Sequence, residues 1–291
     1  MPEAKQRPFM SYKHITVDPI GAPLGAQITG IDLSGPLPTE TVSEIRRAFL
    51  DHLLLLFPDQ DLSPEAFKAF GENFGTLNIH PFLPNREDLP EVMVLDKTPE
   101  RETNVGNGWH SDMTFLSEPP LGSILQAHIL PPVGGDTLFR NMYLVYESLS
   151  EGMKKMLEGV TAIHDYTIIF LKSARAGRTR LSEEKIVASR EEYPLVEHPV
   201  VRTHPETGRK LLFINPFFTS HFKGMTSEES QPILEFLYAH GEKPEFTYRY
   251  CWKEKAIAFW DNRCTLHYAV NDYPGHRRLM HRLTVNGDRP Y

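Results

Sequence analysis

Short runs of β-forming residues recur along the chain, at Leu53–Phe57, Val92–Leu95, Ser123–His128, Val200–His204, Leu211–Asn215, Phe246–Cys251, Ala256–Trp260 and Leu279–Val285. Strands this short, bounded by turn residues, point to a barrel or jelly roll. Helix-capping signals fall between them. Thr41-x-x-Glu44 and Thr226-x-x-Glu229 have the capping-box pattern, and Ser63-Pro64 has an N-cap followed by a proline in the first turn. These helices are expected to pack outside the β core, giving a mainly β fold with flanking helices (α+β). Gly75 and Gly241 are read as stops for the second and third helices, and Thr207-Gly208 as a turn between two strands. The charged, weakly patterned stretch from Phe170 to Glu192 reads as an irregular, lid-like segment. No internal repeat is visible and the 24 prolines are scattered, so residues 1–291 are read as one domain.

Composition narrows the function classes. Forty per cent hydrophobic and 24% charged residues suit a globular chain. With 31 Lys+Arg against 38 Asp+Glu and no long basic stripe, nucleic acid is not an expected partner. The longest apolar run, Leu53 to Phe57, is far too short to span a bilayer, and Met1 to Val17 lacks a signal-type apolar segment. The expectation is a cytoplasmic protein with no membrane partner; whether copies associate into a homo-oligomer stays open. Cys251 and Cys264 are expected to be free thiols.

Chemistry concentrates in two stretches. In Trp109-His110-Ser111-Asp112 an imidazole and a carboxylate are two positions apart, and in an extended segment both would project to one side. A His-x-Asp pair is also what an ordinary surface turn offers. In Asp261-Asn262-Arg263-Cys264-Thr265-Leu266-His267, His267 can supply a third ligand. Two histidines and one carboxylate form the facial set used by iron(II) oxygenases, whereas structural zinc takes four protein ligands. Further on, Arg278 and Arg282 lie four apart on a β-type run, on the same side as Met280 and Thr284. Inward-facing arginines need anions, supplied either by structural ion pairs or by a ligand carboxylate or sulfonate.

Taken together, Trp109 to Phe115, Gly134-Gly-Asp-Thr137, His198-Pro-Val-Val-Arg-Thr-His-Pro205 and Trp260 through Arg282 resemble the TauD/TfdA family of iron(II)- and 2-oxoglutarate-dependent dioxygenases. The likeness covers nearly the whole chain and is greatest to the taurine-cleaving members. It implies a double-stranded β-helix, Fe(II) bound by His110, Asp112 and His267, and 2-oxoglutarate and O2 as co-substrates. It further implies that Arg278 and Thr137 hold the distal carboxylate of 2-oxoglutarate. Arg282, His80 and the backbone of Met113 would grip a small anionic organic substrate, with Phe170 and Phe218 walling its cavity. A taurine-like sulfonate is the first expected substrate, and alkyl sulfates or aryloxyalkanoates are the alternatives. Leu83 and Gly106 stand where taurine-cleaving members carry tyrosine and asparagine, which removes polar contacts for an ammonium group. Asp112 argues against an iron-dependent halogenase, where the carboxylate ligand is replaced. A non-catalytic anion-binding jelly-roll module and a zinc hydrolase are the readings from other classes.

Overall fold

The computed structural model describes residues 11–81, 83–175 and 182–291. In chain order the elements are β1 (Thr16–Pro19), β2 (Ala26–Thr29), α1 (Thr39–His52), β3 (Leu54–Phe57), α2 (Pro64–Glu72), β4 (Met93–Lys97), β5 (Gly122–Ile129), β6 (Thr137–Asn141), α3 (Met142–Glu147) and α4 (Glu151–Leu157). They continue with β7 (Thr161–His164), α5 (Thr167–Arg175), α6 (Glu183–Ala188), β8 (Val196–Pro199), β9 (Val201–Thr203), β10 (Lys210–Leu212), β11 (Thr219–Phe222), α7 (Ser227–Gly241), β12 (Thr247–Tyr250), β13 (Ile257–Asp261), β14 (Thr265–Ala269) and β15 (Arg278–Val285).

A large sheet runs β1-β2-β3-β13-β5-β15-β4, and smaller sheets run β12-β6-β14, β11-β7-β8 and β10-β9. Strand periodicity explains why the apolar runs are continuous rather than alternating. On β3, Leu54 and Leu56 join the core that includes Phe139, Leu212 and Leu266 of the smaller sheets, whereas Leu55 and Phe57 join Ile45 and Phe49 of α1 and Phe67 and Phe70 of α2. Strand β13 divides the same way, with Ala258 and Trp260 on one side and Ile257 and Phe259 on the other. The large sheet is thus buried on both faces, helices on one and small sheets on the other, in a jelly roll. Each such Leu or Phe contributes roughly 1.5–3 kcal/mol of burial free energy.

The strands read from the sequence are present with shifted ends, and the expected caps on α2 and α7 form: Ser63 Oγ accepts the Ala66 N–H, and Thr226 with Glu229 closes a reciprocal capping box. Other expectations need correcting. Helix α1 starts at Thr39 without a side-chain cap. Glu44 instead reaches outward to accept the N–H groups of Lys13 and His14, so no capping box forms at Thr41. Gly241 is the last residue of α7 and Glu242 its cap, rather than a left-handed glycine stop. The stretch after Phe170 is helical in α5 and α6 rather than irregular, and its residues 176–181 lie outside the described residues. Both cysteines are free.

The turn from β13 to β14 presents His267 and is fixed by buried charge. Asp261 accepts the Arg263 N–H and Nε–H, both at 2.9 Å, and Nη2–H at 2.7 Å. His204 Nδ1 accepts the N–H groups of Glu206 and Thr207, which leaves its Nε2–H to donate to Asp261 at 3.1 Å. Arg263 continues to Glu206, which also takes Arg46 of α1. With the lone pairs of His204 and Asp261 so committed, this cluster with Cys264 is structural despite its metal-like composition. Burial alone would raise the Asp261 carboxyl, but the Arg263 charge and hydrogen bonds hold it well below the usual carboxylate range.

Removing one partner should leave the other buried and uncompensated: Arg263→Met is expected to lose about 3–5 kcal/mol of stability in urea denaturation. Because the folded value is depressed, the Asp261 contribution is present at neutral pH and lost only as pH falls through that value. The stability gap between wild type and Asp261→Asn should therefore stay constant from pH 8 to pH 6 and narrow in strong acid.

Candidate active site

Two segments far apart in sequence meet through their backbones. His110 N–H donates to the His267 carbonyl at 3.0 Å and His267 N–H returns the bond at 2.8 Å, an isolated antiparallel bridge to the middle of β14. The imidazole centroids consequently lie 4.1 Å apart. Directly after His110 the chain turns, with Met113 in the left-handed region at φ 43°. Asp112 opens that turn, and its carboxylate lies on the same side as the two imidazoles. Asp112 Oδ1 stands 3.7 Å from His110 Nε2 and 3.6 Å from His267 Nε2. One ligand atom from each residue falls within 4.8 Å of the others, and all three residues are buried.

The electrostatics suit a divalent cation. His110 Nδ1 lies 2.8 Å from the Gly108 carbonyl, so its hydrogen sits there and Nε2 keeps its lone pair toward Asp112. Burial pushes both imidazoles below the ordinary histidine value, favouring the neutral, metal-binding form. Burial would raise Asp112, but the Arg282 guanidinium and the two imidazoles hold it well below the usual range. Its second oxygen is already committed: Oδ2 accepts from Ser123 Oγ at 2.8 Å and from Arg282 Nη2. Ser123 Oγ in turn accepts from Asn262 Nδ2 at 2.9 Å, and Asn262 Oδ1 accepts Trp260 Nε1–H at 2.9 Å. On the other side Phe217 stacks on His110, with centroids 4.7 Å apart and planes 9° apart. A Cβ on Gly108 would come within 2.3 Å of the Phe217 ring, so only glycine admits this stack.

A cavity of about 230 Å³ opens beside the imidazoles, its wall including Thr137, Arg278, Arg282, Leu83 and Gly106. Arg278 is 7% exposed, and its Nε and Nη2 are buried with no hydrogen-bond partner among the described residues; Arg282 Nε is likewise unpartnered. Thr137 Oγ1 accepts Trp252 Nε1–H at 2.9 Å, leaving the hydroxyl hydrogen to donate into the cavity. Buried donors without acceptors fit a bound carboxylate.

Of the residues singled out from sequence, His110, His267, Thr137, Arg278 and Arg282 share this cavity, with Asp112 beside it. His80 lies within electrostatic reach of Arg282 and Asp112, and burial together with the Arg282 charge pushes its imidazole down to about 4. Met113, Phe170 and Phe218 belong to an adjoining cluster with Phe115 and Tyr166, outside the cavity wall. Sequence reasoning passed over Ser123, Phe217 and Lys97. Nothing in their local sequence marks them, because their positions are set by cross-strand register and by the turn before β11.

This geometry defines a facial His/Asp/His centre beside a cationic pocket on a jelly roll, the arrangement of a 2-oxoglutarate-dependent dioxygenase. The family model described as "Taurine catabolism dioxygenase TauD, TfdA family" matches residues 16–284, and the chain belongs to that family. Among its relatives is an alkylsulfatase of Acinetobacter baylyi, 35% identical over 91% of this chain and 83% of the relative. An alpha-ketoglutarate-dependent sulfate ester dioxygenase of Pseudomonas putida is 32% identical over 95% of this chain and 91% of its own length. The crystal structure of a taurine dioxygenase from Burkholderia xenovorans superposes with a TM-score of 0.79 at 34% identity, covering 96% of this chain and 91% of that one. The chain is an oxidoreductase that uses 2-oxoglutarate and O2. No helix among the described residues is long and apolar enough to cross a membrane.

Anaerobic addition of Mn(II) or Fe(II) at about a hundredfold over its dissociation constant should stabilise the wild type by about 2.7 kcal/mol, read as a rise in Tm. His267→Ala should fold and show no such rise. Phe217→Ala should keep the rise but need about tenfold more metal to reach it.

Proposed function

We propose that this enzyme binds Fe(II) through His110, Asp112 and His267 and hydroxylates small alkyl sulfate esters. The observation that carries the substrate class is the wall of the cavity. Away from the metal centre it is formed by Leu83, Pro84, Val94, Leu95 and Val105, and its one carboxylate, Asp96, is held by Arg277 through two hydrogen bonds of 3.0 and 2.8 Å. An ammonium group would find no free carboxylate there, only neutral oxygens such as Asn104 Oδ1, whereas an alkyl tail would be covered. Gly106 offers no side chain, and a Cβ there would stand 3.1 Å from His110 Cε1. The match across residues 16–284 supports reading residues 1–291 as one domain.

The residues divide the work as follows. Arg278 and the Thr137 hydroxyl hold the distal carboxylate of 2-oxoglutarate, supported by their unpartnered donors. Arg282 contributes to the sulfate head the donors that Asp112 and Ser123 do not take, Nε among them. His80 accepts the Leu83 N–H at Nδ1, so its ring hydrogen is on Nε2 and it meets the anion as a neutral donor. Met113 contributes its backbone at the turn after Asp112, and Phe170 and Phe218 support that turn from the aromatic cluster. The metal supplies the oxidising chemistry, coupling decarboxylation of 2-oxoglutarate to succinate and CO2 with insertion of one O2 oxygen into a substrate C–H bond. What the chain adds is position: gripping the sulfate sets the adjacent CH2 toward the triad, and burial excludes water. Hydroxylation of that carbon gives a hydroxy sulfate ester, which collapses to an aldehyde and hydrogensulfate. A taurine-like sulfonate is the second reading, favoured by the likeness to the Burkholderia taurine dioxygenase.

Succinate release against a panel of alkyl sulfates, alkyl sulfonates, taurine and aryloxyacetates tests this. Alkyl sulfates of four to eight carbons should exceed taurine in kcat/KM by about tenfold to a hundredfold, the range of pocket discrimination by apolar contacts. Arg278→Ala should chiefly raise KM for 2-oxoglutarate, and Arg282→Ala that for the sulfate. Preference for taurine would make the sulfate ester assignment wrong.

A further inference from the structure

Two cations of the cavity wall, Lys97 and Arg101, are used by neither the family motif nor the proposed mechanism; Arg101 is exposed and donates to the Asp96 carbonyl, whereas Lys97 is buried. It ends β4, an edge strand, and lies directly opposite Arg278 in the antiparallel register of β15 and β4. Directly opposed residues project to one face of the sheet with Cβ atoms about 5 Å apart, where like charges repel. A lysine on an edge strand ordinarily extends its ammonium into water. Here the residue is 5% exposed, and Nζ is buried with no hydrogen-bond partner among the described residues, 4.5 Å above the Tyr273 ring.

Among the described residues no carboxylate hydrogen-bonds to either cation, and the Asp136 charge reaches Arg278 only through space. Asp136 is bound by Arg249 Nε at 2.6 Å, Asp272 accepts the Gly135 N–H and Arg249 Nη2, and Asp96 is taken by Arg277. Two buried cations and three unpartnered donor atoms therefore converge on one patch, Nζ of Lys97 and Nε and Nη2 of Arg278. Buried charge without an anion is costly, and a tetrahedral ammonium beside a planar guanidinium can share one carboxylate, each taking a different lone pair. The Tyr273 ring face offers the ammonium partial compensation.

We infer that Lys97 is a second cationic contact for the distal carboxylate of 2-oxoglutarate and selects a dicarboxylic 2-oxo acid over one lacking that group. The inference rests on the reading of the Arg278 wall as the co-substrate end of the cavity. It also implies that the ammonium destabilises the protein in the absence of an anion.

The test is calorimetric titration of the Mn(II)-loaded enzyme with N-oxalylglycine and, separately, with 2-oxobutyrate, which has no distal carboxylate. Lys97→Met should weaken N-oxalylglycine by tenfold or more, leave 2-oxobutyrate unchanged and melt above the wild type when neither ligand nor metal is added. Lys97→Arg should recover most of the affinity. Equal N-oxalylglycine affinity in wild type and Lys97→Met would overturn the inference, as would equal weakening of both ligands. Should Lys97→Met not fold, Lys97→Gln gives the same comparison. Arg278→Ala separates the two levels: if it binds N-oxalylglycine as wild type does, the co-substrate reading itself is wrong, whereas loss in Arg278→Ala alone removes only the role of Lys97.

Discussion

The site depends on a pair of backbone hydrogen bonds. His110 and His267 exchange N–H and carbonyl across a single antiparallel bridge, which fixes the separation of two imidazoles that are 157 positions apart in the chain before any side-chain preference is expressed. Everything else at the centre adjusts about that bridge. The Gly108 carbonyl orients one ring, Phe217 stacks on it, and the β13–β14 turn, fixed through Asp261 and Arg263, holds β14 in register with β6. A backbone bridge suits this purpose because its geometry is independent of side-chain rotamers, so the ligand atoms inherit the rigidity of the sheet.

Much of this was legible in the sequence, for physical reasons that differ by element. Strands β3 and β13 are legible because both faces of the large sheet are buried, so every residue of Leu54–Phe57 is apolar. Strands β6 and β14 were not read as strands. Thr137-Leu-Phe-Arg-Asn and Thr265-Leu-His-Tyr-Ala place functional polar groups on one face, which breaks the apolar signal where the chemistry needs it. His110, Asp112 and His267 could be picked out because their spacing belongs to a family pattern. The expectation that the His-x-Asp pair projects to one side holds, but at a turn that opens at Asp112 and not along a continuous strand. Lys97 and Ser123 acquire their positions only from cross-strand pairing with Arg278 and Thr284, information that lies in the register and not in either segment alone.

Charge is concentrated where the whole chain would not suggest it. The protein carries a formal charge of −7, yet the cavity wall includes Lys97, Arg101, Arg278 and Arg282, and its half-buried carboxylate Asp96 is already paired. The acidic balance therefore belongs to the outer surface, and anion recognition to a local field in a low-dielectric pocket, where an interaction with a carboxylate or sulfate is screened far less than at the surface.

The division of labour between the two Asp112 oxygens determines what kind of metal chemistry the centre can support. Oδ2 is saturated by Ser123 and Arg282, so only Oδ1 faces the imidazoles. A metal held there would meet one carboxylate oxygen and two nitrogens from the protein. Three protein ligands would leave room on such an ion for a co-substrate and O2, whereas a structural zinc site would be closed by a fourth protein ligand. Because Arg282 holds Oδ2 and also faces the cavity, the guanidinium that would limit the carboxylate to one metal bond is, in the proposed function, the one that meets the substrate anion.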